Sequence, residues 1–173
     1  MNVVRRIAAA AALLLSVFSS IAAADGTKLP APRGVPILAI TGAIAKTNQE
    51  GSALLDAAMF AALPRQRLVT ATPWYDTPRT FEGPLLRDLL AAVGASGRTL
   101  RIEALNEYAA LVPASDAAEF DVIVADRIDG EPIPVRERGP LFMIYPFDQV
   151  SSLNTEQYYQ RSVWQIRSIE VQP

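Results

Sequence analysis

The stretch TATPWYDTPRTFEGPLLRDLL, residues 70–90, sets out how the chain is organised. It closes a predicted strand over Gln66–Thr72, where Val69, Thr70 and Thr72 are β-branched and the pattern alternates. Pro73 and Pro78 cannot extend a sheet ladder, so the strand is expected to end in a proline-bracketed loop carrying Trp74 and Tyr75. Gly83-Pro84 then opens a helix whose Leu85, Leu86, Leu89, Leu90 and Val93 form an apolar stripe, with Gly94 as its left-handed C-terminal cap. A strand end, a loop and a helix start together form a common place for a small-molecule site. The spacing is equally compatible with Trp74 plugging the edge of a core.

Upstream, residues 25–36 contain Pro30, Pro32, Gly34 and Pro36 and read as an extended lead-in. Ile37–Ile44 is an apolar run, hence a buried strand. Ser52 is placed to cap a helix with Leu55, Met59 and Leu63 on one face, stopped by Pro64.

Downstream, Leu100, Ile102 and Ala104 alternate with charged residues as a half-buried strand, and Ala109–Val112 is a second one ended by Pro113. Ser115 starts a helical turn with Asp116 near its N-terminus. Val122–Ala125 is uninterrupted apolar and reads as a central strand. The acidic run Asp126–Glu131 lacks the oxygen spacing of a calcium loop, and Asp129-Gly130 is better read as a tight hairpin turn. Residues 132–140 form an irregular charged loop, Leu141–Tyr145 a strand, and Phe147–Gln160 a polar segment on the surface. The last strand, Arg161–Val171, changes parity: Trp164 and Ile166 share one face, Ile169 and Val171 the other, and a β-bulge near Arg167-Ser168 reconciles them. Many short strands with a few short helices predict one α+β domain of mixed sheets over residues 37–173.

Composition narrows the chemistry. Arg5 and Arg6 precede the apolar run Ile7–Phe18 and the small residues Ala22-Ala23-Ala24, which predicts a signal peptide over residues 1–24, cleaved after Ala24. The expected mature chain has 149 residues, 14 basic against 18 acidic, and so a net charge of −4. It is expected in the periplasm, with no electrostatic attraction to nucleic acid and no direct membrane insertion. The sequence has no Cys and no His. The usual zinc, copper, haem and iron–sulfur ligand sets are therefore missing, as are Ser-His and Cys-His nucleophile pairs. No catalytic residue and no metal ligand is assigned, and the composition argues against an enzyme.

The succession FEGPLLRDLL (Phe81–Leu90), LNEYAALVP (Leu105–Pro113), DVIVADRIDGEPIPVRERGPLFMIYP (Asp121–Pro146) and RSVWQIRSIEV (Arg161–Val171) resembles the molybdopterin-binding domain of the sulfite oxidase family. The resemblance spans Ile37–Val171 and implies that family's fold. It departs where the family binds molybdenum through a Cys after the strand matching Gln66–Thr72, since this loop reads ATPWYD. The family's R-S-V-K-W also reads Arg161-Ser162-Val163-Trp164-Gln165, without the Lys that meets the cofactor phosphate.

With TPW, YPFD and RSVWQ, the chain looks like the small periplasmic pterin-binding proteins of the PruR type. That implies a pterin ligand, expected to be reduced and not the molybdenum cofactor. It also implies a partner: the periplasmic domain of a membrane-bound signalling protein, a diguanylate cyclase/phosphodiesterase in the cyclic-di-GMP pathway. A molybdopterin-dependent oxidoreductase and a ligand-free adaptor module are the alternatives.

A pterin needs an aromatic or guanidinium plane for its face and directed polar groups for its edges. Trp74, Trp164, Tyr108 and Arg161 are the candidate planes. Asn106, Thr72, Ser162 and Asp148 are candidates for the edges, with the Asp148 carboxylate facing the amino-pyrimidine edge. Tyr145 is a further candidate, or else anchors a backbone carbonyl from a strand end.

Overall fold

A computed structural model of the chain describes residues 28–173, so the expected signal peptide lies outside the described residues. In chain order the elements are β1 (Pro36–Gly42), β2 (Ser52–Asp56), α1 (Ala57–Ala61), β3 (Gln66–Thr72), β4 (Tyr75–Gly83), α2 (Leu86–Val93), β5 (Thr99–Ala104) and β6 (Ala109–Pro113). They continue with α3 (Ser115–Glu119), β7 (Ile123–Ala125), β8 (Arg127–Ile128), β9 (Glu131–Pro132), β10 (Phe142–Ile144), α4 (Glu156–Arg161) and β11 (Ile166–Gln172). This is the predicted α+β class of mixed sheets with a few short helices. Among the described residues no helix is long and apolar enough to cross a membrane.

One sheet has the order β2-β1-β11-β5-β6, parallel at β1–β11 and antiparallel elsewhere. A second has the order β3-β4-β8-β9. Between them stands the ribbon β10–β7. Its residues point alternately to two cores: Val124 and Met143 to one, with Leu86, Leu89 and Ile102, and Ile123, Ala125, Phe142 and Ile144 to the other, with Leu68 and Phe81. Burial on both faces explains why these strands are apolar without alternation. Val122–Ala125 is thus not the centre of a large sheet but half of a partition between two cores.

Three other expectations are corrected. Ser52 caps no helix: Ser52–Asp56 pairs with β1, and Asp56 caps α1, its carboxylate accepting from the Met59 N–H at 2.8 Å. The other oxygen of Asp56 accepts from the backbone of Arg33 and Gly34, at 2.7 and 2.8 Å, and so ties down the lead-in. The loop after β3 is shorter than expected, because Thr72 already pairs with Tyr75 and only Pro73-Trp74 turns the corner. Pro78 is accommodated inside β4 because the ladder is interrupted between Thr70 and Thr72 and β8 reaches only Phe81 and Glu82. Phe147–Gln160 is not merely a surface wrap: Phe147 and Leu153 are core residues and Glu156 begins α4.

The punctuation holds in detail. Gly94 ends α2 at φ 63° and ψ 45°. Asp129 and Gly130, at φ 52° and 86°, turn β8 into β9. A register shift between Ile166 and Ser168 is the expected bulge, and it brings Ile166, Ile169 and Val171 all into the core. The segment Arg161–Trp164 is not part of that strand. Arg161 ends α4, and Gln165 at φ 53° separates Trp164 from β11.

Candidate functional site

A cavity of about 370 Å³ opens where three pieces of chain meet, a volume suited to a small molecule. The turn between β3 and β4 contributes Pro73 and Trp74. The end of β5 and the turn into β6 contribute Ala104, Asn106 and Tyr108. The third wall is α4 with the segment after it: Glu156, Tyr159, Gln160, Ser162, Val163 and Trp164.

Each wall has a local cause. The two-residue turn leaves the Trp74 indole no ladder position, and it packs at the seam between the two cores. Its ring meets Phe142 at 5.3 Å, Trp164 at 5.7 Å and Tyr159 at 6.1 Å between centroids, each edge to face. Trp74 thus both fills the seam and lines the cavity. Trp164 also meets Phe142 edge to face, at 6.0 Å, and the Arg138 guanidinium lies over the outer side of this aromatic group, between Trp164 and Tyr75. Tyr108 donates its hydroxyl to the Gln160 carbonyl at 2.9 Å, so the β5–β6 turn is tied to α4 across the cavity mouth.

Polar groups at the rim keep free valences. Asn106 Oδ1 accepts from the Tyr108 N–H at 3.2 Å, which leaves its amide NH₂ for other partners. Ser162, almost fully buried, donates to the Tyr158 carbonyl at 2.9 Å. Glu156 Oε1 accepts from Gln160 Nε2 at 3.1 Å, and among the described residues Oε2 has no partner. The lining carries no Lys or Arg, and Glu156 is its one charged side chain.

Of the nine residues proposed from sequence, the structure brings Trp74, Asn106, Tyr108, Ser162 and Trp164 to this cavity. The other four stand outside it. Arg161 turns away, donates to Asp116 Oδ2 at 2.9 Å and lies over the Tyr158 ring. Tyr145 is buried and donates to the same oxygen at 2.6 Å; burial first, and then this bond, push its phenol well above the ordinary value. Asp148 Oδ2 accepts from the Ala71 N–H at 2.7 Å, and its own N–H donates to Thr70 Oγ1 at 3.1 Å, so it clamps the end of β3. Thr72 is buried beneath the turn, its hydroxyl without a partner among the described residues.

Sequence reasoning missed Glu156, Tyr159 and Gln160. Their spacing of i, i+3 and i+4 puts them on one helical face, and that was the available signal.

A family model described as the oxidoreductase molybdopterin-binding domain matches residues 62–154. The match runs from the end of α1 to the residues just before α4 and includes the Pro73-Trp74 turn and the Asn106–Tyr108 wall. No curated protein matches the chain.

Proposed function

Because the chain belongs to the oxidoreductase molybdopterin-binding domain family, we propose that its cavity holds a pterin ring without a molybdenum centre and that the protein reports ligand state instead of catalysing a reaction. The residues present do not fit the complete molybdenum cofactor. The sequence has no Cys to supply a thiolate and no His. Among the described residues no three Asp or Glu side chains converge on one point. A phosphate-bearing pyranopterin would find no Lys or Arg on the cavity lining to balance its charge.

What the cavity does offer suits a flat heteroaromatic ring. The carrying observation is the convergence of Trp74, Trp164, Tyr108 and Tyr159 with the polar groups of Asn106, Ser162 and Glu156 around one small volume. Such rings stack on or edge against aromatic faces, and their ring nitrogens need directed donors and acceptors.

The proposal extends to setting. The protein works in the periplasm after export, binds a reduced pterin, and regulates a membrane-bound cyclic-di-GMP enzyme through that enzyme's periplasmic domain. This part rests on the sequence resemblance and on the predicted signal peptide. Family membership keeps a molybdopterin-dependent oxidoreductase as the second reading.

One experiment separates them. Protein purified from the periplasm of its own host is denatured, and the released small molecules are identified by fluorescence and mass spectrometry with metals quantified in parallel. A pterin without molybdenum supports the proposal. Molybdenum near stoichiometry with a pyranopterin overturns it in favour of the oxidoreductase, and release of no pterin at all overturns it in favour of a ligand-free adaptor.

A further inference from the structure

Resting on the pterin reading, we infer that Glu156 is the specificity residue of the cavity: it selects a ring with an amidine-like donor edge. Sequence reasoning gave this task to Asp148, but that residue is off the cavity lining, with one oxygen accepting from the Ala71 N–H. Glu156 is the carboxylate on the cavity lining, exposed at the rim, with Gln160 Nε2 on one oxygen and the other free. Its helix is held at the C-terminal end, where Arg161 bonds Asp116 and the Gln160 carbonyl accepts from Tyr108. A free carboxylate on a positioned helix is a directed acceptor of two parallel N–H groups.

A 2-amino-4-oxo-pteridine presents such a pair, its ring N–H and its exocyclic amine. The 2,4-dioxo analogue, lumazine, puts a carbonyl where the amine was, so acceptor would face acceptor. A phosphate on the 6-substituent would lie at the other end of the ring from Glu156, where the lining offers no Lys or Arg to balance it. Arg161 is ion-paired with Asp116, Arg138 lies over the Tyr75 and Trp164 rings, and neither is on the lining. The lining thus discriminates by charge and Glu156 by hydrogen-bond pattern.

The test titrates the mature protein and its Glu156→Gln variant, without oxygen, with 6-hydroxymethyl-7,8-dihydropterin, its monophosphate and the matching 7,8-dihydrolumazine, following heat by calorimetry. Glu156 is exposed and bonds only Gln160 among protein groups, so the variant should fold, and circular dichroism checks that it does. The unphosphorylated pterin is expected to bind the wild type at least about tenfold more tightly than either of the other two. Glu156→Gln should lower its affinity by about tenfold and shrink its advantage over the lumazine, while its ratio to the monophosphate stays within about twofold. An unchanged lumazine ratio in a folded variant overturns the role of Glu156 while leaving the pterin reading intact. A folded wild type that binds none of the three overturns both.

Discussion

Tyr145 donates its phenolic hydrogen to Asp116 at 2.6 Å, and Arg161 reaches the same carboxylate oxygen at 2.9 Å. The contact joins the residue just after β10, α3 and the end of α4, so Arg161 holds the α4 wall of the cavity in place instead of facing into it. The ion pair is deeply placed, with side chains 15% and 5% exposed for Arg161 and Asp116. Removing one partner leaves the other charge buried and uncompensated. Asp116→Ala is expected to lower unfolding free energy by about 3 kcal/mol in urea titrations. A loss of pterin affinity in Arg161→Ala larger than its loss of stability would show that the guanidinium contacts ligand after all.

The same cluster predicts alkaline behaviour. The Tyr145 phenol is raised above its ordinary value of 10.0 by burial and by its bond to Asp116. A group raised on folding contributes stability that is fully present below its unfolded pKa and is lost as pH climbs beyond it. Unfolding free energy should therefore fall above about pH 10. Tyr145→Phe should lose about 1.5 kcal/mol at pH 7 and show a flatter alkaline limb.

At the acid end the control point is Asp56. Backbone N–H groups of Met59, Gly34 and Arg33 hold its carboxyl below the ordinary value of 3.8, with burial opposing them. A depressed carboxyl contributes stability above its unfolded pKa that is lost as pH falls through the folded one. Asp56→Asn should lower Tm at pH 7, and the gap to the wild type should close as pH falls below about 4. A gap that is constant with pH would mean that the charge of Asp56 is irrelevant.

Both tryptophans of the chain, Trp74 and Trp164, line the cavity with ring centroids 5.7 Å apart. Intrinsic fluorescence is thus a direct report of occupancy. A bound pterin should quench it saturably, and Trp164→Phe should retain a quenched fraction from Trp74. Because Trp74 also packs against both cores, Trp74→Ala should lose about 3 kcal/mol of stability as well as affinity. Trp74→Phe, which keeps a ring there, separates the two effects.

Gly83 has a role that no pocket reveals. A Cβ at that position would sit 2.1 Å from the Val124 carbonyl oxygen, where β4 crosses the ribbon between the cores. Gly83→Ala should destabilise the fold by about 2 kcal/mol or more, measured by thermal unfolding.

Most strands were legible because their signals are local. The alternation of β5, the turn residues Asp129-Gly130, the cap at Gly94 and the parity change before Val171 each depend on neighbours a few residues away. Ser52–Asp56 was misread because Leu55, Met59 and Leu63 keep helical spacing, while pairing with β1 overrides that local preference over the first five residues. α4 was missed because none of its residues is fully buried, so it carries no apolar stripe to find.

The sequence alone determined the chemical inventory: no thiol, no imidazole, two tryptophans and an acidic balance. Those are counts, independent of folding. It also determined those strands and turns whose signals are short in range, such as β5, the Gly94 cap and the Asp129-Gly130 turn. Tertiary structure decided which polar and aromatic groups share a volume. Arg161 and Ser162 are adjacent in the chain, yet one ends on Asp116, 45 residues away, and the other on the cavity wall. Where one helix turn ends and an extended segment begins, consecutive side chains diverge. Which of them meets a ligand then depends on partners distant in sequence, and spacing does not encode them.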